Sequence, residues 1–144
     1  MALGDKNQYE HGPVDKKIAE EINSRLEDSR LPCAAAMAAA QKLGAEPADI
    51  GRAADALAIR LTACQLGLFG FPGRVKGWTG EGVAQHPVPS GFEEAVRAAR
   101  SADGGISCAS LWKVAELFSV PRIQAGYVAD RLGIAVRNCQ LGAF

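Results

Sequence analysis

The chain has 144 residues, 48% hydrophobic and 22% charged, with 16 basic and 16 acidic side chains and no formal net charge. This is an ordinary globular composition with enough chain to bury a core. It excludes the strongly basic balance by which nucleic-acid-binding domains usually declare themselves, and no apolar run approaches the roughly 18 residues of a membrane-span candidate.

Residues 1–12 are polar and read as a flexible N-terminus. The first 30 residues hold no apolar core of a signal peptide, so the expectation is a cytoplasmic chain with its four cysteines reduced and no membrane contact. Val14, Ile18, Ile22 and Leu26 then recur every four residues and predict a helix over residues 13–28. Arg30-Leu31-Pro32-Cys33 reads as a short extended piece, because Pro32 disfavours helix at Leu31. A second helix is predicted over residues 34–43, closed by Gly44 as a left-handed cap. Pro47 opens a third helix that runs to about Leu57. Ile59-Arg60-Leu61-Thr62 alternates apolar and polar like a strand, and Gly67 supplies a turn before a second short strand.

Residues 72–89 form a Gly- and Pro-rich linker or wing. The stretch at its start, from Phe71 just before it to Trp78, combines Arg74 and Lys76 with aromatic residues, as a wing touching phosphate would. Phe92, Ala95, Val96 and Ala99 predict a helix over residues 90–101, with Ser90 as N-cap. Another extended piece at Ile106, a helix over residues 109–118, a turn at Pro121, a helix to Leu132 and a strand near Ile134 complete the chain.

The elements recur because the sequence does. Shifting the chain by 75 residues aligns 31–69 with 106–144 without a gap, and thirteen of the 39 pairs are identical. Chance would scatter a few identities. Here Cys64-Gln65-Leu66-Gly67-x-Phe69 recurs whole as Cys139-Gln140-Leu141-Gly142-x-Phe144, so the chain is a tandem duplication. Two copies fall short of the three or more that a solenoid needs.

The order helix, strand, helix, turn, helix, strand, strand resembles the winged-helix/helix-turn-helix superfamily. Ala40-x-x-Leu43-Gly44, Pro47-x-x-Ile50-Gly51-x-x-Ala54-x-x-Leu57 and, in the second copy, Ala115-x-x-Phe118 then Val120-Pro121 through Leu132-Gly133-Ile134 carry the resemblance. It implies a mainly α, α+β fold with short β-hairpins: two tandem winged-helix-like helix-turn-helix units at residues 13–71 and 90–144. It also implies DNA binding through the third helix and the wing.

The surface residues divide the copies. In the first, the outward set is Ala48, Asp49, Arg52, Asp55 and Ala56, whose carboxylates repel phosphate. In the second, it is Ile123, Gln124, Tyr127, Asp130 and Arg131, with Arg122 before and Arg137 after. Gln pairs with adenine and Arg with guanine or phosphate, so Arg122, Gln124, Tyr127, Arg131 and Arg137, with Arg74 and Lys76, are the candidate DNA-binding residues. The leading expectation is a DNA-binding transcriptional regulator in which repeat 2 contacts DNA, with a homodimer as a possible assembly. The alternative is a protein-interaction adaptor of the same fold that binds no DNA, with or without a cysteine-based metal or redox site.

Cys33, Cys64, Cys108 and Cys139 contain no Cys-x-x-Cys pair, so the spacing of a zinc ribbon is absent. Each reads first as a small buried hydrophobe copied with its unit; convergence of all four on a metal is the minor alternative. His11 and His86 both lie outside the repeats, and no phosphate-loop spacing occurs. The expectation is therefore a non-enzyme without a cofactor.

Overall fold

The computed structural model describes residues 14–79 and 82–144. The expected flexible N-terminus and the first position of the expected first helix lie outside the described residues. Helix α1 (Lys16–Ser24) starts where the Asp15 carboxylate accepts from the N–H groups of Lys17 at 2.8 Å and Ile18 at 3.2 Å, satisfying donors the helix leaves unpaired. It stops short of residue 28. Glu27 and Arg30 bridge across a turn in which Asp28 and Ser29 both take positive φ, a geometry that reverses the chain.

The first repeat continues with β1 (Leu31–Pro32), α2 (Cys33–Leu43), α3 (Pro47–Ala56) and β2 (Leu61–Thr62). A 3-10 turn at Val83–Gln85 precedes α4 (Phe92–Ala98), β3 (Ile106–Ser107), α5 (Cys108–Leu117), α6 (Arg122–Arg131) and β4 (Val136–Arg137). The protein is thus mainly helical with a few short strands, an α+β arrangement. Helix α4 begins after left-handed Gly91, so Ser90 is not its N-cap. None of the helices among the described residues is long and apolar enough to cross a membrane.

The duplication extends to the backbone. The Leu31 N–H donates to the Arg60 carbonyl at 2.9 Å, and Ile106 donates to Ala135 at the same distance. Positive φ recurs at matching positions: Gly44 and Ser119, Ala58 and Gly133, Ala63 and Asn138, Gly67 and Gly142. Gly44 is the left-handed cap that the sequence predicts, and the Ala45 N–H closes back on the Ala40 carbonyl at 2.9 Å.

The expected β-hairpins are not formed. Among the described residues β1 pairs with β2 in parallel, Leu31 opposite Leu61, and β3 pairs with β4 in parallel, Ile106 opposite Val136. A hairpin needs a short turn between antiparallel neighbours. Each strand here instead finds its partner across two intervening helices, a crossover that leaves the strands parallel. Left-handed Ala63 and Asn138 then turn the chain out of the ladder, and the second short strand predicted after each is replaced by turns around Gly67 and Gly142.

The chain divides into two compact units, and their boundary is not the repeat boundary: one holds the described residues up to Ala63 together with Gln140–Ala143, the other Cys64–Cys139 with Phe144. Each unit is therefore completed by the Gln-Leu-Gly segment of the opposite repeat. In the first unit Leu141 joins buried Ile22, Leu31, Ile50 and a run of small residues on α2, Ala36, Ala39 and Ala40. In the second, Leu66 joins Phe92, Val96, Ile106, Leu111 and Val128. Full burial of such side chains is worth about 1.5–3 kcal/mol each.

Two helical glycines receive these segments. A Cβ at Gly51 would collide with the Leu141 carbonyl, and a Cβ at Gly126 with the Leu66 carbonyl. What passes at each of these glycines is thus a backbone turn.

Candidate functional site

Helix α6, the predicted reading helix of the second repeat, starts at Pro121, whose fixed φ suits a helix entry but whose ring offers no side-chain cap. Arg122 is its first residue. Two turns of the helix then meet the chain that follows the first repeat. Gln124, expected to face outward toward a base edge, is only 6% exposed, and its amide Nε2 donates to the His86 carbonyl at 2.7 Å. The Tyr127 ring meets Trp78 edge-on with centroids 6.0 Å apart. Gly67 packs so closely that an added Cβ would stand 2.8 Å from the Trp78 ring and 3.1 Å from Ile123. The side of α6 chosen as a DNA reader is thus a seat for Gly67, Trp78 and the His86 carbonyl, which hydrophobic spacing within the repeat alone could not reveal.

The other predicted basic contacts also have partners within this unit. Arg131 pairs with Glu93, and Arg137 lies 3.4 Å from the Asp103 carboxylate. The Ser101 hydroxyl and the Gly105 N–H, with a smaller contribution from Arg137, hold Asp103 below the usual carboxylate range. Arg74 donates to the Gly77 and Thr79 carbonyls, each at 3.3 Å, and its guanidinium lies 5.6 Å from the Phe71 ring centre. Lys76 donates to the Leu68 carbonyl at 3.4 Å and sits 5.9 Å from the Trp78 ring centre. The stretch from Phe71 to Thr79 is therefore a self-bonded turn, tied down further by the Gly77 N–H on the Gly67 carbonyl at 2.7 Å. On α3, Asp49 pairs with Arg52, and Ala48 and Ala56 are half-buried.

Arg122 is held differently. Its guanidinium lies 3.7 Å from the Trp112 ring centre and donates to Gln65 Oε1 at 2.7 Å. A cation stacked on an indole face gains about 0.5–2 kcal/mol. The indole N–H of Trp112 is meanwhile buried without an acceptor among the described residues, so the ring is placed for its face at the expense of its polar edge. Arg122 borders an open depression of about 530 Å³ between the end of α5 and the start of α6, walled by Ala115, Val120, Pro121 and Ile123, with Glu116 and Ser119 as further polar groups. Leu117, on the last turn of α5, is 76% exposed. Sequence reasoning singled out Arg122 but missed Trp112, Gln65 and Leu117. The available signal was divergence: Trp112 and Arg122 stand where the first copy has Met37 and Pro47.

Cys33, Cys64 and Cys108 are buried, Cys139 is half-buried, and none of the four is in a disulfide. Among the described residues no three His, Cys, Asp or Glu side chains gather closely enough to hold a metal ion. Burial pushes the Cys64 thiol up from its ordinary pKa and the Cys139 thiol adds to this, while the N–H groups of Leu68, Leu66 and Gly67 act in the opposite direction.

Comparison with protein-family models, with curated proteins and with solved structures found no match to this chain.

Proposed function

We propose that the chain is a protein-interaction module built from two helix-turn-helix units without wings, docking its partner at the depression beside Arg122. The observation that carries this reading is the use of α6: Gln124 is buried on the His86 carbonyl and Tyr127 is packed on Trp78. A helix so occupied has no row of free side chains for the major groove. The depression offers apolar walls, one stacked guanidinium and a neighbouring exposed leucine. That combination fits a short apolar segment carrying a carboxylate, since a fixed Arg fork binds a carboxylate at low entropic cost.

Selection from a random peptide library on the full chain tests this. A consensus of aliphatic residues beside Asp, Glu or a free C-terminus, with affinity lost in Arg122→Glu and in Leu117→Asp, supports the reading. Failure to enrich any consensus, or binding indifferent to both substitutions, overturns it.

DNA binding in a transcriptional regulator is the second reading, supported by the charge of the repeats. Residues 30–75 carry 5 basic and 3 acidic side chains and residues 104–144 carry 4 and 2, a balance of +2 in each. Retention of duplex DNA that weakens steeply with salt, and is reduced by Arg122→Ala with Arg131→Ala, would favour it over peptide docking.

A further inference from the structure

The first compact unit is not closed by its own stretch of chain. The described residues up to Ala63 are completed by Gln140–Ala143, whereas Cys64–Cys139 belong to the other unit. The closing contact is slight. Leu141, 3% exposed, is the one buried side chain of that segment, and its carbonyl fills the place where a Gly51 side chain would begin.

The covalent joint beside this contact is short and strained. Strand β2 ends at Thr62, and the single peptide link from Ala63 to Cys64 leads out of the first unit. Ala63 is held at φ 50°, where an L-residue's Cβ crowds the next carbonyl. The matching position of the second repeat, Asn138 at φ 54°, carries a side chain that tolerates this region. The repeats have thus diverged to leave alanine at the joint. A short hinge under strain is the condition that favours exchange of an element between copies, because opening relaxes the hinge while the partner restores the lost contacts.

We propose that a second copy of the chain supplies the turn that docks at Gly51. Residues 14–63 of each copy close on Gln140–Ala143 of the other, giving a two-fold exchanged dimer with Ala63 as its hinge. The seat makes the same contacts in either form. The two forms differ in the effective concentration of the tethered segment, about millimolar for a short linker, and in strain. Each relaxed Ala63 favours exchange by about 5- to 30-fold. With two hinges per dimer, the dissociation constant falls at least about 25-fold below the millimolar range.

The test is native mass spectrometry of isotopically light and heavy full chains mixed at about 0.1 mM, above the dissociation constant so expected. A mixed dimer forms. Ala63→Gly removes the strain from the closed chain without touching the seat, and weakens the dimer by about 25-fold or more. Leu141→Asp abolishes it. The glycine variant relieves the native chain and so does not depend on tolerance of a damaged core. Absence of mixed dimers, a dimer that Ala63→Gly leaves unchanged or tightens, or one that survives Leu141→Asp overturns the proposal.

Discussion

The Leu141 carbonyl occupies the space in which a side chain at Gly51 would begin, and seventy-five residues on in the duplication the Leu66 carbonyl does the same at Gly126. Glycine in a helix interior ordinarily costs about 1 kcal/mol relative to alanine. Both copies keep it because a backbone turn needs the room. The sign of a glycine-to-alanine substitution is therefore reversed here: Gly51→Ala and Gly126→Ala each destabilise by about 1–3 kcal/mol, the usual cost of overpacking. Urea unfolding measures it, and an unchanged or higher midpoint would show that the turns do not dock on these helices.

Left-handed backbone outside glycine gives the opposite prediction. Ala58 and Ser119 hold φ of 59° and 54°, where the other repeat uses Gly133 and Gly44. An L-residue pays about 1–2 kcal/mol for this conformation, against the extra chain entropy glycine loses on folding. Ala58→Gly and Ser119→Gly are each expected to stabilise by up to about 1 kcal/mol. Calorimetry reads this as a raised Tm.

Gln124 separates packing from readout. Gln124→Ala removes the donor to the His86 carbonyl and leaves space beneath the covering chain. A loss of about 1–3 kcal/mol in stability is expected. A solvent-facing base reader would show almost none, so the unfolding free energy of this variant decides which role the side chain has.

The Glu21 carboxylate accepts from Arg25 Nε at 2.6 Å and lies 3.0 Å from Lys42 Nζ. Hydrogen bonds from Lys42 and Arg25 depress its pKa below the ordinary 4.5. The unfolded chain thus takes up this proton first on acidification. The stabilisation is fully present above pH of about 4.5 and is lost as pH falls through the folded-state value. Denaturant midpoints between pH 6 and 3, approximately, should fall less steeply for Glu21→Gln than for the wild-type protein; parallel slopes would remove Glu21 from the acid response.

Local elements were legible in the sequence because their causes are local. Apolar spacing placed α1 through Ile18 and Ile22, Gly44 marked the end of α2, and Pro47 and Pro121 marked the entries to α3 and α6. The candidate site was legible only in Arg122. Its cation was visible, but its stacking on Trp112 and its bond to Gln65 join residues 10 and 57 positions apart.

The duplication belongs to the sequence alone: an intact motif recurring in register is enough to establish it, and paired hydrogen bonds and paired positive φ angles follow from it. Where each copy of that motif packs was decided by tertiary structure. The expected hairpin would have kept residues 64–69 in the first unit, whereas the parallel pairing of β1 with β2 sends them into the second, as Gln140–Ala143 enter the first. Periodicity reports which residues seek burial, and Leu66 and Leu141 are both buried. It is silent on which core receives them, because two copies of one fold present the same apolar seat, and chain direction after Ala63 and Asn138 makes the choice.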